Sequence, residues 1–380
     1  MKNIFFVNPH HNLCGGNKII FEYCNHLAAK YQKCFVVCND LVPNWMPVNA
    51  FFINRADALK IMKPQDIIVF HWDFDANYVL KAPANNKYYL VQSFVHLKKN
   101  IFKMPFKFLA VSSYIQEDNK KNYNVESELL LNAIDHNIFY NQNLQRVKNR
   151  IFAIDRGSLK DVNSIKKAEK LLPKNLNIEF VYKDHLTPEE IAKEYNLATI
   201  YVSASLYEGF CLPVLEAFAS GAVVITTDCK GIGDFATENF NCLHVPMKSP
   251  AAIASAILKL INNKNLQKKF QENGFEIAKK FTWENTINKL SLIFDLREKT
   301  PDSEIIKQLS EKFKIIKNHS THETAPGRPL NIEKNRILRE INLYNFGKKT
   351  IKLLDKLGLK YGTFDYKKIN FVNSTTIYIP

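Results

Sequence analysis

Short, nearly continuous apolar runs recur along the first three quarters of the chain. "NIFFVN" (3–8), "KCFVVCN" (33–39), "AFFIN" (50–54), "DIIVFHW" (66–72), "KYYLVQSF" (87–94) and "FKFLAVSS" (106–113) are rich in aromatic and β-branched residues, and "NKIIFEYCNHLAAKY" (17–31) has helical spacing. Runs this short and this apolar predict strands buried on both faces, as in a parallel sheet whose crossovers are helices. The polar stretch at 132–150 breaks the pattern, which resumes with "IFAIDR" (151–156), "NIEFVYKD" (177–184), "TIYVSAS" (199–205), "AVVITTD" (222–228) and "CLHVP" (242–246). Within this second series Thr187, Pro188 and Glu190 spell a capped helix start, and a further helix is predicted over 284–297. The pattern predicts two α/β halves, 1–140 and 151–299, with a linker at 141–150 and a cleft between them.

Residues 300–380 differ. "SEIIKQLSEKFKIIKN" and "NIEKNRILREINLYNFGKKTIKLLDKLG" read as basic amphipathic helices, and Lys and Arg number 15 against 8 Asp and Glu over the last 80 residues. This region is predicted to be a mainly helical extension. Its apolar stripes suit a packing partner, a second copy of the chain, or an anionic membrane surface.

One stretch of the second half carries chemistry. "YEGFCLPVLEAFASG" (207–221) holds two carboxylates, Glu208 and Glu216, in a mostly apolar segment between two predicted strands. Pro213 suits a first helical turn and Gly221 a C-cap, so the unit reads as strand, loop, helix, strand. Glu216 is then expected in the first turn and Glu208 in the loop before it. Open α/β sheets bind ligands beyond the strand ends, where the N–H groups of Phe210, Cys211 and Leu212 would be donors at the helix start. Carboxylates accept from hydroxyls and N–H groups donate to phosphate oxygens, so this combination suits a polyhydroxylated, phosphorylated ligand.

The chain has 380 residues, enough for two domains and an appendage. Its net charge of +15 is compatible with phosphorylated or anionic partners. No nucleic-acid-binding motif accompanies the charge, so nucleic acid is not expected as a partner. Seven scattered cysteines show no metal-ligand spacing and are expected as free thiols, and no segment has the length of a membrane span or the pattern of a signal peptide, which predicts a cytoplasmic location.

The segment 207–221 resembles the E-x7-E signature of retaining family-4 glycosyltransferases of the GT-B fold, with Cys211 in place of a glycine. Four more segments resemble that family in the same order: "GGNKIIFEYCNHLA" (15–28), "VSSYIQEDNKKNYNVESELLLNAIDHNIF" (111–139, with Ala133 for glycine), "IDRGSLKD" (154–161, with Asp155 for glycine) and "KKFTWENTINKL" (279–290). The resemblance covers roughly residues 1–298. It implies two Rossmann-like domains facing a donor cleft, the first taking the acceptor and the second the nucleotide sugar. By the same resemblance Arg156 and Lys160 would clamp the diphosphate in place of a metal ion, and Glu216 would accept both ribose hydroxyls. Glu208, with the amides of Phe210, Cys211 and Leu212, would hold the donor sugar, and Gly15 and Gly16 would let the backbone approach a phosphate. Where many relatives carry a histidine this chain has Gln92, with His96 four residues on and His71 as another candidate. "DFD" (73–75) raises a metal or acceptor role for Asp73 and Asp75, and no metal is expected once Arg156 and Lys160 serve the diphosphate.

The implied function is transfer of a sugar from a nucleoside-diphosphate donor to a glycan or lipid-linked hydroxyl acceptor, with retention and without a cofactor. Cell-envelope polysaccharide or lipopolysaccharide synthesis, at the inner face of the membrane, is the implied setting. The alternatives are a nucleotide-sugar epimerase or hydrolase of the same fold, and a catalytically silent module.

Overall fold

The computed structural model describes residues 2–8, 14–30, 33–38, 45–95, 99–156 and 160–296, with two residue pairs at 370–371 and 377–378. The chain divides into a unit of residues 1–302 and one of 303–380. In the second, Asn370–Phe371 and Ile377–Tyr378 form a short antiparallel pair. The helices expected over 300–380 lie outside the described residues.

The first half of the larger unit is built on seven parallel strands: β1 (Ile4–Val7), β2 (Cys34–Val37), β3 (Phe51–Ile53), β4 (Ile67–Phe70), β5 (Asn86–Val91), β6 (Lys107–Ala110) and β7 (Ser127–Leu129). They lie in the order β3-β2-β1-β4-β5-β6-β7. All four residues of β1 and of β4 are buried, as the continuous apolar runs require when helices cover both faces of a sheet. Four helices accompany them: α1 (Gly15–Lys30), α2 (Arg55–Ile61), α3 (Ala76–Lys81) and α4 (Ser113–Tyr123). Of these the apolar pattern announced only α1.

The second half has five parallel strands, β8 (Arg150–Ile154), β9 (Glu179–Lys183), β10 (Ile200–Ser203), β11 (Val223–Thr227) and β12 (Cys242–Val245), in the order β12-β11-β10-β8-β9. Its helices are α5 (Val162–Glu169), α6 (Pro188–Leu197), α7 (Leu212–Ala219), α8 (Pro250–Ile261), α9 (Lys264–Ala278) and α10 (Trp283–Phe294). Helix α6 opens with the expected capping box: the Glu190 N–H donates to Thr187 Oγ1 (3.2 Å) and the Thr187 N–H to Glu190 Oε2 (2.8 Å). Helix α7 closes with Gly221 at φ +75°, and the Ala222 N–H returns to the Ala217 carbonyl, the Schellman arrangement that favours glycine.

In each sheet the strand order reverses once, between β1 and β4 in the first and between β8 and β10 in the second. At such a switch point the two crossovers leave toward opposite faces, and a crevice opens beyond the carboxyl ends of the strands.

The predicted helix at 284–297 stops at Phe294, where Asp295 turns left-handed (φ 50°). This last described helix of the larger unit packs on the first half, not the second. Trp283 meets Tyr23 edge to face at 5.4 Å and stacks on His26 at 4.9 Å, while Thr286 Oγ1 donates to the Leu131 carbonyl. Lys2 Nζ donates to the Phe294 carbonyl at 2.9 Å. The chain thus crosses between the halves twice, which ties them together.

Candidate active site

The site grows from the loop that follows β10. The Glu208 N–H donates to the Cys229 carbonyl at 3.0 Å, and Glu208 bridges to Lys230 in parallel fashion, so the loop runs alongside the end of β11. Gly209 then passes the first half so closely that a Cβ there would lie 2.0 Å from the Gln92 carbonyl oxygen. Cys211 follows in the left-handed region, at φ 48° and ψ 56°. That conformation costs an L residue roughly 1 kcal/mol or more, which explains why the resembled signature has glycine here. Cys211 is buried, with its sulfur 3.8 Å from Ser203 Oγ.

The turn at Cys211 sets the register of α7. The helix begins at Leu212 with Pro213 second, so Glu216 is its fifth residue and no acid stands in the first turn. The helix starts one residue before Pro213, so Glu216, expected at the end of the first turn, instead opens the second. The consequence is burial: Glu216 is 6% exposed, too enclosed to serve as a solvated dipole partner. Its charge is met by Lys18 of α1, whose Nζ lies 3.3 Å from Glu216 Oε1 and 5.1 Å from the centre of the Phe139 ring. An acid of the second half and a base of the first thus face each other between the two sheets.

Lys160 and Glu208 form the other charged pair. Lys160 follows β8, bridges in antiparallel fashion to Ser205 after β10, and donates to Ser205 Oγ (2.6 Å) and to Glu208 Oε1. Burial opposes its charge, but the Glu208 carboxylate, with Cys211 and Tyr201 nearby, more than reverses this and holds the ammonium above the ordinary lysine range. The switch point between β8 and β10 therefore carries a permanent cation gripped by a carboxylate. Arg156 lies just beyond β8, two residues past Ile154, and is partly exposed. A cavity of about 520 Å³ adjoins Lys160, lined also by Asp155, Asp161, Lys167 and Lys248. It shares Lys160 with the cluster but reaches neither Glu208 nor Glu216.

The opposite wall belongs to the first half. Gly15 and Gly16, expected in a loop before the helix, are the first two residues of α1 itself. A Cβ at Gly15 would meet open space, while one at Gly16 would touch Gln92 Oε1 at 3.4 Å. Gln92 Nε2 donates to the Gly16 carbonyl (3.2 Å) and lies 3.1 Å from His71 Nδ1, and His71 Nε2 lies 3.2 Å from Asn8 Oδ1. An amide N–H pointing at Nδ1 makes that nitrogen the acceptor, so the proton of a neutral ring belongs on Nε2, facing Asn8. Gln92 and His71, rivals for one role in the sequence, are neighbours in one hydrogen-bonded chain. His96 lies outside the described residues.

The structure assigns Asp75 elsewhere. It is fully buried against the guanidinium of Arg55, which also lies over the Tyr78 ring at 5.1 Å. Among the described residues no group of three His, Cys, Asp or Glu side chains is placed to hold a metal ion, and no helix is long and apolar enough to cross a membrane. All seven cysteines are free thiols.

Lys18, Asn8 and Glu22 were not singled out in the sequence. Glu22, one turn beyond Lys18 on α1, has its carboxyl pushed up to about 7 by burial, against the pull of Lys18 and with a smaller push from Asp135. The folded state then holds a proton that the unfolded state has lost, between the ordinary glutamate value and about 7. Stability should therefore be greatest below that window and decline as pH rises through it. Glu22→Gln, which cannot ionise, is expected to flatten this decline and to be more stable at pH 8 by up to about 3 kcal/mol. Urea unfolding at pH 5.5 and pH 8 reads the difference; equal midpoint shifts at both pH values would assign the effect to packing.

Two parallel sheets with facing switch points define the GT-B architecture, and comparison with solved structures agrees. Sucrose-phosphate synthase of Thermosynechococcus elongatus superposes with a TM-score of 0.64 over 78% of this chain and 98% of that one, at 15% identity. Anabaena HepE, solved in complex with UDP and glucose, gives 0.64 over 78% and 100%, at 12% identity. Residues 141–277 match the family model of "Glycosyl transferases group 1", which spans Arg156, Lys160, Glu208 and Glu216. Among curated proteins, an uncharacterized glycosyltransferase of Methanocaldococcus jannaschii is 26% identical over 207 residues, half of this chain. The chain spans less than two thirds of the length of the curated relatives that head the comparison, 59% of this one.

Proposed function

We propose that the chain transfers a glycosyl group from a nucleoside-diphosphate sugar to a hydroxyl acceptor, with retention and without a metal ion. The observation that carries this reading is the Lys160–Glu208 pair at the β8/β10 switch point, one loop from the buried Glu216, inside the region matched by the glycosyltransferase family model. In this reading Glu216 accepts from both ribose hydroxyls; a carboxylate has about four lone-pair sites, so Lys18 and a vicinal diol can share it. Arg156 and Lys160 neutralise the diphosphate as it leaves. Glu208 holds Lys160 in place and orients the donor sugar with the amides of Phe210, Cys211 and Leu212. Gly15 and Gly16, at the start of α1, let the backbone approach the phosphates, and Gln92 bonds a sugar hydroxyl.

In the transfer itself, the bond from the anomeric carbon to the diphosphate oxygen breaks as the acceptor oxygen bonds that carbon on the same face. The acceptor proton passes to the departing phosphate. The proposed setting is cell-envelope polysaccharide or lipopolysaccharide synthesis on the cytoplasmic side, with 300–380 meeting an anionic leaflet or a second copy.

A panel of nucleotide sugars screened by thermal shift, followed by mass analysis of products with candidate acceptors on anionic vesicles, tests this. One donor should stabilise the full chain by mass action and be consumed only with acceptor present, with turnover unaffected by EDTA. Consumption without acceptor would favour an epimerase or hydrolase, and donor binding without turnover a silent module. Loss of turnover in EDTA with recovery in manganese would restore a metal role.

A further inference from the structure

Glu216 is an acid of the second half whose counter-ion belongs to the first. Lys18 stands in the first turn of α1, and its ammonium reaches Glu216 Oε1 at 3.3 Å. Only 19% of the lysine side chain and 8% of the glutamate side chain are exposed. The other carboxylate oxygen, Oε2, accepts from no described residue, yet it is not shut off from solvent. Helix α1 is itself held from the far end of the chain, where Trp283 of α10 packs on Tyr23 and His26.

A buried carboxylate without a cation takes up a proton, because burial disfavours its charged form. The other titratable groups around this pair do not supply a cation to Glu216. Tyr195 of α6 is fully buried, and burial holds its hydroxyl well above the ordinary range, so it stays neutral. Around Lys18 stand Glu22, with His26 3.7 Å from it, and Asp135. Burial pushes the Glu22 carboxyl up to about 7 against the pull of Lys18, which makes Glu22 a weak competitor for that ammonium near neutrality.

We propose that Lys18 is a positioning residue for nucleotide binding: the first half supplies the cation that keeps Glu216 ionised and fixes Oε1, leaving Oε2 to the ribose hydroxyls. This rests on the transfer reading. Hydroxyl hydrogen bonds to an ionised carboxylate are about twice as strong as those to a neutral acceptor. A protonated acid also turns one of its oxygens into a donor, which a diol meets less well. Because Lys18 travels with α1, the nucleotide affinity of the second half depends on the first half being docked.

Calorimetric titration of the full chain with UDP, GDP and ADP between pH 7 and pH 9, following the tightest of the three, tests this. Lys18→Met should bind about tenfold more weakly than the parent at pH 7. That gap should narrow at least threefold by pH 9, as the unpaired Glu216 gives up its proton. Lys18→Arg should stay within threefold of the parent throughout. Lys18→Met/Glu216→Gln, with nothing left to ionise at position 216, should stay weak at every pH. A gap equal at every pH would assign Lys18 to direct ligand contact or to packing and overturn the proposal, as would parent-like binding by Lys18→Met.

Urea unfolding gives a reading without ligand. The stability deficit of Lys18→Met should grow from pH 5 to pH 8, since stability from a raised carboxyl is lost as pH climbs through its folded-state value. Adding Glu216→Gln should remove that growth, and Glu22, common to both variants, cancels in the comparison. If this pattern is seen while no nucleoside diphosphate binds the parent, the transfer reading fails and the hold of Lys18 on Glu216 stands. A deficit that does not change with pH overturns the positioning role whatever binds.

Discussion

Lys160→Met is expected to turn over about 10²–10³-fold more slowly than the parent, with the donor Michaelis constant changing far less. Charge on the diphosphate grows as the bond to the sugar breaks, so a fixed cation there acts mainly on the transition state. Because Glu208 holds the Lys160 ammonium above the ordinary lysine range, no loss of activity from Lys160 deprotonation is expected up to pH 9. The same substitution also strands Glu208 beside an apolar side chain; removing one partner of a fully buried pair costs about 3–5 kcal/mol of stability, and a smaller loss is expected for this part-buried one. These two effects separate in the double variant Lys160→Met/Glu208→Gln, in which both charges are gone. It should regain most of the lost stability and remain slow. If turnover returned with stability, Lys160 would be a structural counter-ion to Glu208 and nothing more.

Glu216→Ala should weaken nucleotide binding by about 10² or more. Hydrogen bonds to a charged acceptor contribute roughly 1.5–3 kcal/mol each, and two hydroxyls would lose theirs. The buried position of Glu216 keeps water from replacing them, and Lys18, 3.3 Å away, would be left without its carboxylate. Calorimetry with UDP and its 2′,3′-dideoxy analogue distinguishes a ribose contact from general damage. The parent should bind the analogue poorly, and Glu216→Ala should bind both alike. If parent and variant lose the same affinity for each ligand, Glu216 does not touch the ribose and its role is to fix Lys18.

Both predictions depend on side chains that meet only in the folded chain, and this marks the limit of what the sequence shows. Apolar continuity announced every strand of the second sheet and six of the seven in the first. In the inner strands burial on both faces leaves no room for polar alternation, while β3 and β9, at sheet edges, are partly exposed and were legible from their aromatic and β-branched residues. The strand missed, β7, is short and polar, Ser127–Leu129 at a sheet edge. The capping box at Thr187 and the glycine stop at Gly221 were legible for a related reason: cap chemistry is local, acting within four or five residues. Glu208 and Glu216 are legible because the E-x7-E spacing lies within a single loop–helix segment, 207–221.

The rest had no local signal. Lys18 is one of many lysines until α1 sets it against an acid 198 residues away. The register of α7 depends on Cys211 turning left-handed, and that turn lies beside two close backbone approaches, Gly209 against Gln92 and Gly231 against the Glu208 carbonyl, that no local pattern announces. Glu216 therefore stands one residue further into the helix than proline and glycine alone would place it, at the start of the second turn. Asp75 reads as half of an Asp-x-Asp motif, yet a guanidinium 20 residues upstream takes it. Short-range patterning determined which segments are strands and helices, because that free energy is settled within a few residues. Which acid meets which base was decided by the packing of the two sheets, since a charged pair forms wherever burial leaves a charge no cheaper partner.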